Sequence, residues 1–282
     1  MKIISFGEIL WDVFGSERTI GGAPFNFAAH AARLGAESYM VSAVGNDANG
    51  RDALAEAGSL GIRTDYISVD RVHRTGECSV TLSDGKPKYE LVPDTAYDHI
   101  PQTLPRGGFD ALYMGTLAMR SPDSRRAFET LLKYVPRREV FFDVNLRGRF
   151  YTRELINALL KDTTVLKVSD EELPFFGKGD EISVCLNIAG SFANLKYICL
   201  TMGPKGALVF DCASKTVFCS EKPQSKPVST VGAGDSFSAA FLCGLLEGRG
   251  IPECLDRAVK LSDYVVTFMG AVPEYNAKEL LG

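Results

Sequence analysis

The run Thr230-Val231-Gly232-Ala233-Gly234-Asp235-Ser236-Phe237 leads straight into an apolar stretch with the marks of a helix. Small residues let the backbone turn tightly and come close to a ligand. The helix behind them aims free N–H groups and the positive end of its dipole at the same spot. That combination suits a phosphate. An acid in the first turn then admits two readings. As a helix-start carboxylate, Asp235 contributes about 0.3–1 kcal/mol through the dipole. As a general base beside a transferring phosphoryl group, it accepts the proton of an attacking hydroxyl. The pattern alone leaves both open.

A second cluster, Gly21-Gly22-Ala23-Pro24-Phe25-Asn26, stands before another helical pattern. Two glycines let a polar ligand approach the backbone, and Asn26 both donates and accepts hydrogen bonds. Asp12 lies close in sequence and can accept bonds from two neighbouring hydroxyls. Read without the first cluster, this is a plain turn and helix start. The common nucleotide signatures are missing: the chain has no G-x-x-x-x-G-K-[ST] and no G-x-G-x-x-G. That argues against a P-loop enzyme and a dinucleotide-binding dehydrogenase.

The elements that must carry these clusters alternate. Lys2–Phe6, Ser38–Val44, Asp110–Met114, Glu139–Val144, Thr164–Val168 and Lys196–Thr201 read as strands. Helical patterns run over Pro24–Leu34, from Ser121-Pro122 onward, and over Thr152–Leu160, Asp235–Glu247 and Glu253–Met269. Apolar strands separated by helices imply a mostly parallel sheet covered on both faces. Two places break the alternation. Cys78–Ser83 and Lys88–Val92 read as a hairpin around Asp84-Gly85, and Trp11–Ile20 is also β-like. Together they can form a small sheet, either a lid over a site or ordinary edge strands.

Composition sets the outer limits. In 282 residues, 45% are hydrophobic and 23% charged, the balance of a globular chain with a large core. A net charge of −4 with no Lys/Arg block gives no support to nucleic-acid or membrane-surface binding. No apolar run nears the roughly 18 residues that a membrane span needs, and the start reads as no signal peptide. The seven cysteines include no C-x-x-C pair, so they read as small buried hydrophobes in a reducing, cytoplasmic compartment. Three histidines with no helical ligand spacing argue against a His/Cys metal centre.

Taken in order, the motifs resemble those of the ribokinase-like (PfkB) carbohydrate kinase family, and fructokinases most. The likeness spans nearly the whole chain. It carries Gly7-Glu8, Asp12, Gly21–Asn26, Leu34-Gly35, Val44–Asp47 with Gly50, Thr75-Gly76 and Ala96-Tyr97-Asp98. It continues through Gly115-Thr116-Leu117-Ala118, Asp143–Arg147, Lys167–Glu172, Thr201–Ala207 and Gly232–Asp235. The resemblance implies an α/β three-layer sandwich with a mostly parallel central sheet plus a small β-sheet lid. It makes 1–282 one kinase domain, with lid strands within about 10–22 and 73–95.

By the same resemblance Asp235 deprotonates the sugar hydroxyl, and the N–H groups of Gly232, Ala233 and Gly234 form an anion hole for the γ-phosphoryl group. Asp12, Gly22 and Asn26 match sugar-binding positions. Thr201, Gly203 and Gly206 match the ATP-binding strand and turn. Asn145, Arg147 and Lys167 stand at strand ends where relatives contact phosphates or sugar; read alone, they are solvated strand-end groups. Glu172 matches the acid of Asn-x-x-Glu, which helps hold Mg²⁺, often through water. The Asn of that motif is Ser169 here. Ser229-Thr230 stands where the family often has Asp-Thr, whose acid helps bind a monovalent cation, and this puts K⁺ activation in doubt. Val259 replaces an Asn common near the adenine.

The expected partners are therefore a small sugar and ATP, and an exposed lid sheet allows a homodimer. The leading expectation is transfer from ATP to the 6-hydroxyl of D-fructose. Kinases of 2-keto-3-deoxygluconate, tagatose or ribose are the near alternative. A weakly catalytic sugar or nucleotide sensor, suggested by Ser169 and Ser229, is a further one.

Overall fold

A computed structural model describes residues 1–83 and 86–282. The chain opens with β1 (Lys2–Phe6), β2 (Leu10–Phe14), β3 (Glu17–Gly21), α1 (Ala23–Arg33), β4 (Glu37–Gly45) and α2 (Ala48–Ser59). It continues with β5 (Ile67–Asp70), β6 (Gly76–Ser83), β7 (Lys86–Leu91), β8 (Ala111–Met114), α3 (Pro122–Tyr134) and β9 (Glu139–Asp143). Next come α4 (Arg153–Leu160), β10 (Val165–Ser169), α5 (Glu181–Ser191), β11 (Tyr197–Thr201), β12 (Ala207–Asp211) and β13 (Val217–Cys219). The last three elements are α6 (Ala233–Leu246), α7 (Ile251–Val265) and α8 (Ala277–Leu281).

Among the described residues, nine strands form one sheet in the order β13-β12-β11-β10-β9-β8-β1-β4-β5. It is parallel except at the edge, where β12 runs antiparallel to β11 and β13 to β12. The central strands are buried on both faces, so successive residues feed two different cores. On β8, Leu112 and Met114 join one core and Ala111 and Tyr113 the other. The first core is closed by Phe128 and Leu131 of α3, Ile156 and Leu160 of α4 and Ile188 of α5. The second is closed by Phe27 of α1, Phe237 and Phe241 of α6 and Leu261 of α7. The result is the three-layer α/β sandwich that the alternation implies. Helix α6 is buried from Ser236 to Gly244, because α1 and α7 flank it against the sheet. A helix so enclosed carries apolar residues all round.

A separate small sheet has the order β3-β2-β6-β7. Strand β2 pairs antiparallel with β3 and parallel with β6, which sets Asp12 beside Thr19 and Cys78. The expected turn at Asp84-Gly85 lies outside the described residues.

Two expectations need correcting. The last long helix does not run Glu253–Met269. It begins at Ile251, since Pro252 fits a first turn. It ends at Val265, where Thr267 and Phe268 donate to carbonyls three residues back and Gly270 follows at φ 94°. The cysteines are also not uniformly buried. Cys78, Cys185, Cys199, Cys243 and Cys254 are, but Cys219 on the edge strand β13 is exposed.

Candidate active site

In an open parallel sheet the carboxyl ends of the strands form the natural binding crevice. Here β1 delivers Glu8, β9 delivers Asp143, Asn145 and Arg147, and β10 delivers Lys167 to that side. The first turn of α6 faces them. Gly232 is its N-cap at φ 81°, and a Cβ there would lie 2.4 Å from the carbonyl oxygen of Ala271. Only glycine makes this turn without strain. Ser236 donates back to the Gly232 carbonyl at 2.9 Å, and the Ala233 N–H donates to Thr230 at 3.3 Å. Among the described residues nothing accepts from the N–H groups of Gly232, Gly234 and Asp235. These donors sit at the positive end of a 14-residue helix.

Asp235 projects from that turn. Asn26, on α1, donates to its Oδ2 at 2.8 Å. Burial pushes the Asp235 carboxyl up to about 7, and the charge of Asp143 adds to the shift. The Asn26 hydrogen bond, Lys167 and Arg147 oppose it. Lys167 and Asp143 are register partners on adjacent strands, and the ammonium donates to Asp143 Oδ1 at 3.0 Å. Burial alone would lower the Lys167 pKa, but Asp143 and Glu172 outweigh it and hold the group cationic. Its Nζ would lie 2.8 Å from a Cβ on Gly234. A fixed positive charge therefore stands beside the unengaged N–H groups. Ser238 and Tyr113 also donate to Asp143, at 3.2 and 3.4 Å.

Gly22 caps α1 at φ 110°, and its missing side chain leaves room for the Glu8 carbonyl, 2.5 Å from where a Cβ would be. Glu8 is buried and its Oε2 has no partner, as is true of Asn26 Oδ1. Burial raises the Glu8 carboxyl to about 7, and the charge of Asp235 pushes the same way. Asp12 is half-buried on the small sheet, with its pKa raised by burial and held back by a Cys78 hydrogen bond and by Arg147. Exposed Arg147 thus faces three acids, Glu8, Asp12 and Asp235. Asn145 holds a left-handed φ of 39° at the same strand end.

A groove of about 130 Å³ leads to this centre, lined by Thr201, Gly203, Gly206, Gly234, Val259 and Ser262 among others. Gly203 and Gly206 both take positive φ there. A larger open cavity of about 590 Å³, lined by Arg137, Thr164 and Lys196, lies at the amino ends of β9 to β11, away from these groups. Glu172 holds the rim differently. Its two carboxylate oxygens accept from the backbone N–H groups of Leu146 at 2.7 Å and Ser169 at 2.9 Å, tying the segment after β9 to the end of β10.

All the sequence-selected residues therefore gather on one side of the sheet, Asp12 from the small sheet included. Glu8 and Asp143 belong to the same centre, although sequence reasoning gave neither a role. Their only signal was membership in the Gly7-Glu8 and Asp143–Arg147 motifs. Arg120 and Asp98 form a nearby buried pair, with two bonds of 2.7 Å, and Arg120 also donates to Tyr97 at 2.9 Å. This pair fixes the Ala96-Tyr97-Asp98 turn.

An uncharacterized sugar kinase of Pyrococcus horikoshii is 29% identical over 274 residues, covering 88% of this chain and 84% of that protein. Its crystal structure matches with a TM-score of 0.76 over 100% of both chains. A fructokinase of Klebsiella pneumoniae is 28% identical over 270 residues, covering 90% of this chain and 87% of that one. Aminoimidazole riboside kinase of Salmonella enterica shares the fold at TM-score 0.86 over 100% of both chains, with 21% sequence identity. Among the described residues no helix is long and apolar enough to cross a membrane. The model of the pfkB family carbohydrate kinases matches residues 2–277, and the chain belongs to that family.

Proposed function

We propose that the protein transfers the γ-phosphoryl group of ATP to a sugar hydroxyl, with D-fructose as acceptor and fructose 6-phosphate as product. The observation that carries this reading is the convergence on Asp235. A carboxyl raised to about 7 stands in the same helical turn as unengaged N–H groups. Phosphoryl transfer asks for little more than positioning and charge stabilisation. Asp235 takes the proton of the attacking hydroxyl. Gly232 and Gly234 supply N–H donors to the transferring group, and Lys167 adds fixed positive charge. Ala233 contributes less, since its N–H already has a partner.

Asp12, Gly22 and Asn26 bind the sugar in this reading, with Asn145 and Arg147 at the opposite rim. The orphaned Oε2 of Glu8 and Oδ1 of Asn26 are buried acceptors suited to sugar hydroxyls. Thr201, Gly203 and Gly206 line the nucleotide groove. The small sheet acts as the lid, its closure excluding water from the reacting groups. Its edge strand β3 is largely exposed and offers a homodimer contact. Unpaired cysteines accord with a cytoplasmic setting.

Glu172 fits the Mg²⁺ position, because each of its oxygens keeps a lone pair after accepting one backbone bond. Bound there through water, the ion would neutralise polyphosphate charge. Ser229 and Thr230 bring no carboxylate to the position where the family often holds a monovalent ion.

The K. pneumoniae relative supports fructose among acceptors. The test is ADP release from ATP and Mg²⁺ with D-fructose, D-ribose, D-tagatose, D-glucose and 2-keto-3-deoxygluconate. The expected result is preferential turnover of fructose. Preference for another sugar discards the acceptor and keeps the chemistry, and no turnover from folded protein discards both.

A further inference from the structure

Away from the nucleotide groove, two of the three histidines meet. His73 lies in the connection from β5 into β6, and His99 ends the helical turn Ala96–His99. Their rings stack at 3.6 Å with planes 10° apart. Asp94, just past β7, directs Oδ1 at both Nε2 atoms, 2.8 Å from His99 and 3.8 Å from His73. The three ligating atoms lie within 4.8 Å of one another. Tetrahedral ligands of a zinc ion stand about 3.3 Å apart, given bonds of about 2.0–2.1 Å.

The far nitrogens are held as well. His73 Nδ1 meets Asp70 Oδ2 at 2.8 Å, and His99 Nδ1 meets Asp123 Oδ2 at 2.9 Å. A carboxylate can only accept, so both Nδ1 atoms carry hydrogen and donate. Asp70 is itself fixed, since its Oδ1 accepts from the N–H groups of Val72 and His73 at 2.7 and 3.0 Å. This is the outer arrangement that orients imidazole ligands in metal sites, with the partner acid on one nitrogen and the other nitrogen turned inward. At the inner side, His99 Nε2 donates to Asp94 Oδ1, and His73 Nε2 lies 3.8 Å from the same oxygen. Asp94 adopts φ 57°, a left-handed conformation uncommon outside glycine, to hold this aim.

We propose that His73, Asp94 and His99 form a binding site for a zinc-type transition-metal ion, with water as the fourth ligand. Two imidazoles and one carboxylate suit Zn²⁺, Ni²⁺ or Cu²⁺ and not Mg²⁺. Binding displaces the proton that His99 Nε2 donates to Asp94. It also rotates the rings out of their parallel stack, because a shared ion lies in the plane of each. The ligands come from two of the connections of the small sheet, the one entering β6 and the one leaving β7, and from the turn packed on the core. The ion therefore clamps the base of that sheet. The proposal is independent of the acceptor sugar and of phosphoryl transfer.

The test uses the full chain, stripped with chelator and titrated calorimetrically with ZnCl₂ in the presence of excess Mg²⁺. One equivalent should bind, and a His73→Ala/His99→Ala variant should bind about 100-fold more weakly or worse. Crystals of the unaltered protein soaked in ZnCl₂ should show anomalous density between these three side chains, a readout that needs no variant to fold. Absence of stoichiometric binding overturns the proposal, as does equal affinity in the variant or density only elsewhere, such as at exposed Cys219.

Discussion

Asn26 and Asp235 stand 209 residues apart in the chain and share a hydrogen bond of 2.8 Å. Each lies near the start of a helix, α1 or α6, and the two helices pack side by side in the same layer. The bond therefore joins two helix starts whose glycine caps, Gly22 and Gly232, both take positive φ. Asn26 holds the carboxylate in one orientation and favours its charged form, while its own Oδ1 stays free for a ligand.

Removing that bond gives the first prediction. With Asn26→Ala, the hydrogen bond that most lowers the Asp235 pKa is lost, while Lys167 and Arg147 remain. With Asp235 as the proposed base, activity requires the deprotonated carboxylate, so the acid limb of kcat/KM should lie near pH 7 in the unaltered enzyme and move upward in the variant. Turnover should fall by about tenfold or more, within the range for disturbing a general base. A pH–rate profile from pH 5 to 9 reads both effects. An unmoved acid limb would mean that Asn26 touches substrate without tuning the base.

Asp235→Asn separates function from stability. Turnover should fall about 10²–10⁴-fold while ligand binding persists. Stability should move the other way. The folded carboxyl titrates near 7 against an ordinary 3.8, so the native state binds the proton more tightly than the unfolded chain. Stability contributed by this group is present below pH 3.8 and is lost as pH rises through 7. The variant has no such loss. It should be more stable than the unaltered protein at pH 8 by about 4 kcal/mol, with the difference vanishing near pH 4. Urea unfolding at the two pH values measures this.

Lys167 and Asp143 test the opposite case, a buried pair that is intact. Lys167→Met leaves Asp143 buried without its cation and should cost about 3–5 kcal/mol. Adding Asp143→Leu should recover much of that cost, because replacing both partners by apolar groups is far milder than orphaning one. Activity should not return in the double variant, since the charge beside Gly234 is gone. Recovery of activity along with stability would reduce Lys167 to a structural role.

These pairings mark where sequence reading reaches its limit. Strands β1, β8, β9, β10 and β11 were legible because parallel central strands buried on both faces are dominated by apolar residues, and here Ser5 on β1 and Lys167 on β10 are polar residues within them. Asp235 and Asn26 were legible because each follows glycines at a helix start. The burial of Glu8 was not, since it depends on packing across Gly22 and not on its neighbours in sequence. Nor was the commitment of Glu172 to two backbone N–H groups, which requires knowing that β9 and β10 end side by side. The His73–Asp94–His99 group escaped for the same reason: its members come from two chain connections and a helical turn, and helical spacing is the wrong pattern to search. The end of the last long helix was misjudged because Val266 to Met269 continue an apolar run that the backbone does not follow.

His30 gives the last prediction, one whose sign opposes that of Asp235. The ring is buried, and its Nε2 faces the carbonyl of Ala271 at 2.9 Å while Nδ1 meets the Tyr275 hydroxyl at 2.9 Å. A carbonyl only accepts, so Nε2 carries the hydrogen and Nδ1 accepts from Tyr275. Burial lowers the His30 pKa from 6.5 to about 4. Between those values the unfolded chain takes up a proton that the native state refuses. This contribution to stability is therefore complete above pH 6.5 and is lost as pH falls to 4, by about 3 kcal/mol. Replacement by the non-titrating His30→Gln should remove that slope, leaving the variant less sensitive to acid than the unaltered protein over the same range. The effect bears on the site, because the Ala271 carbonyl held by His30 is the atom that packs against Gly232. Urea midpoints from pH 4 to 8 for both proteins test it, and parallel curves would show that His30 does not titrate in the window.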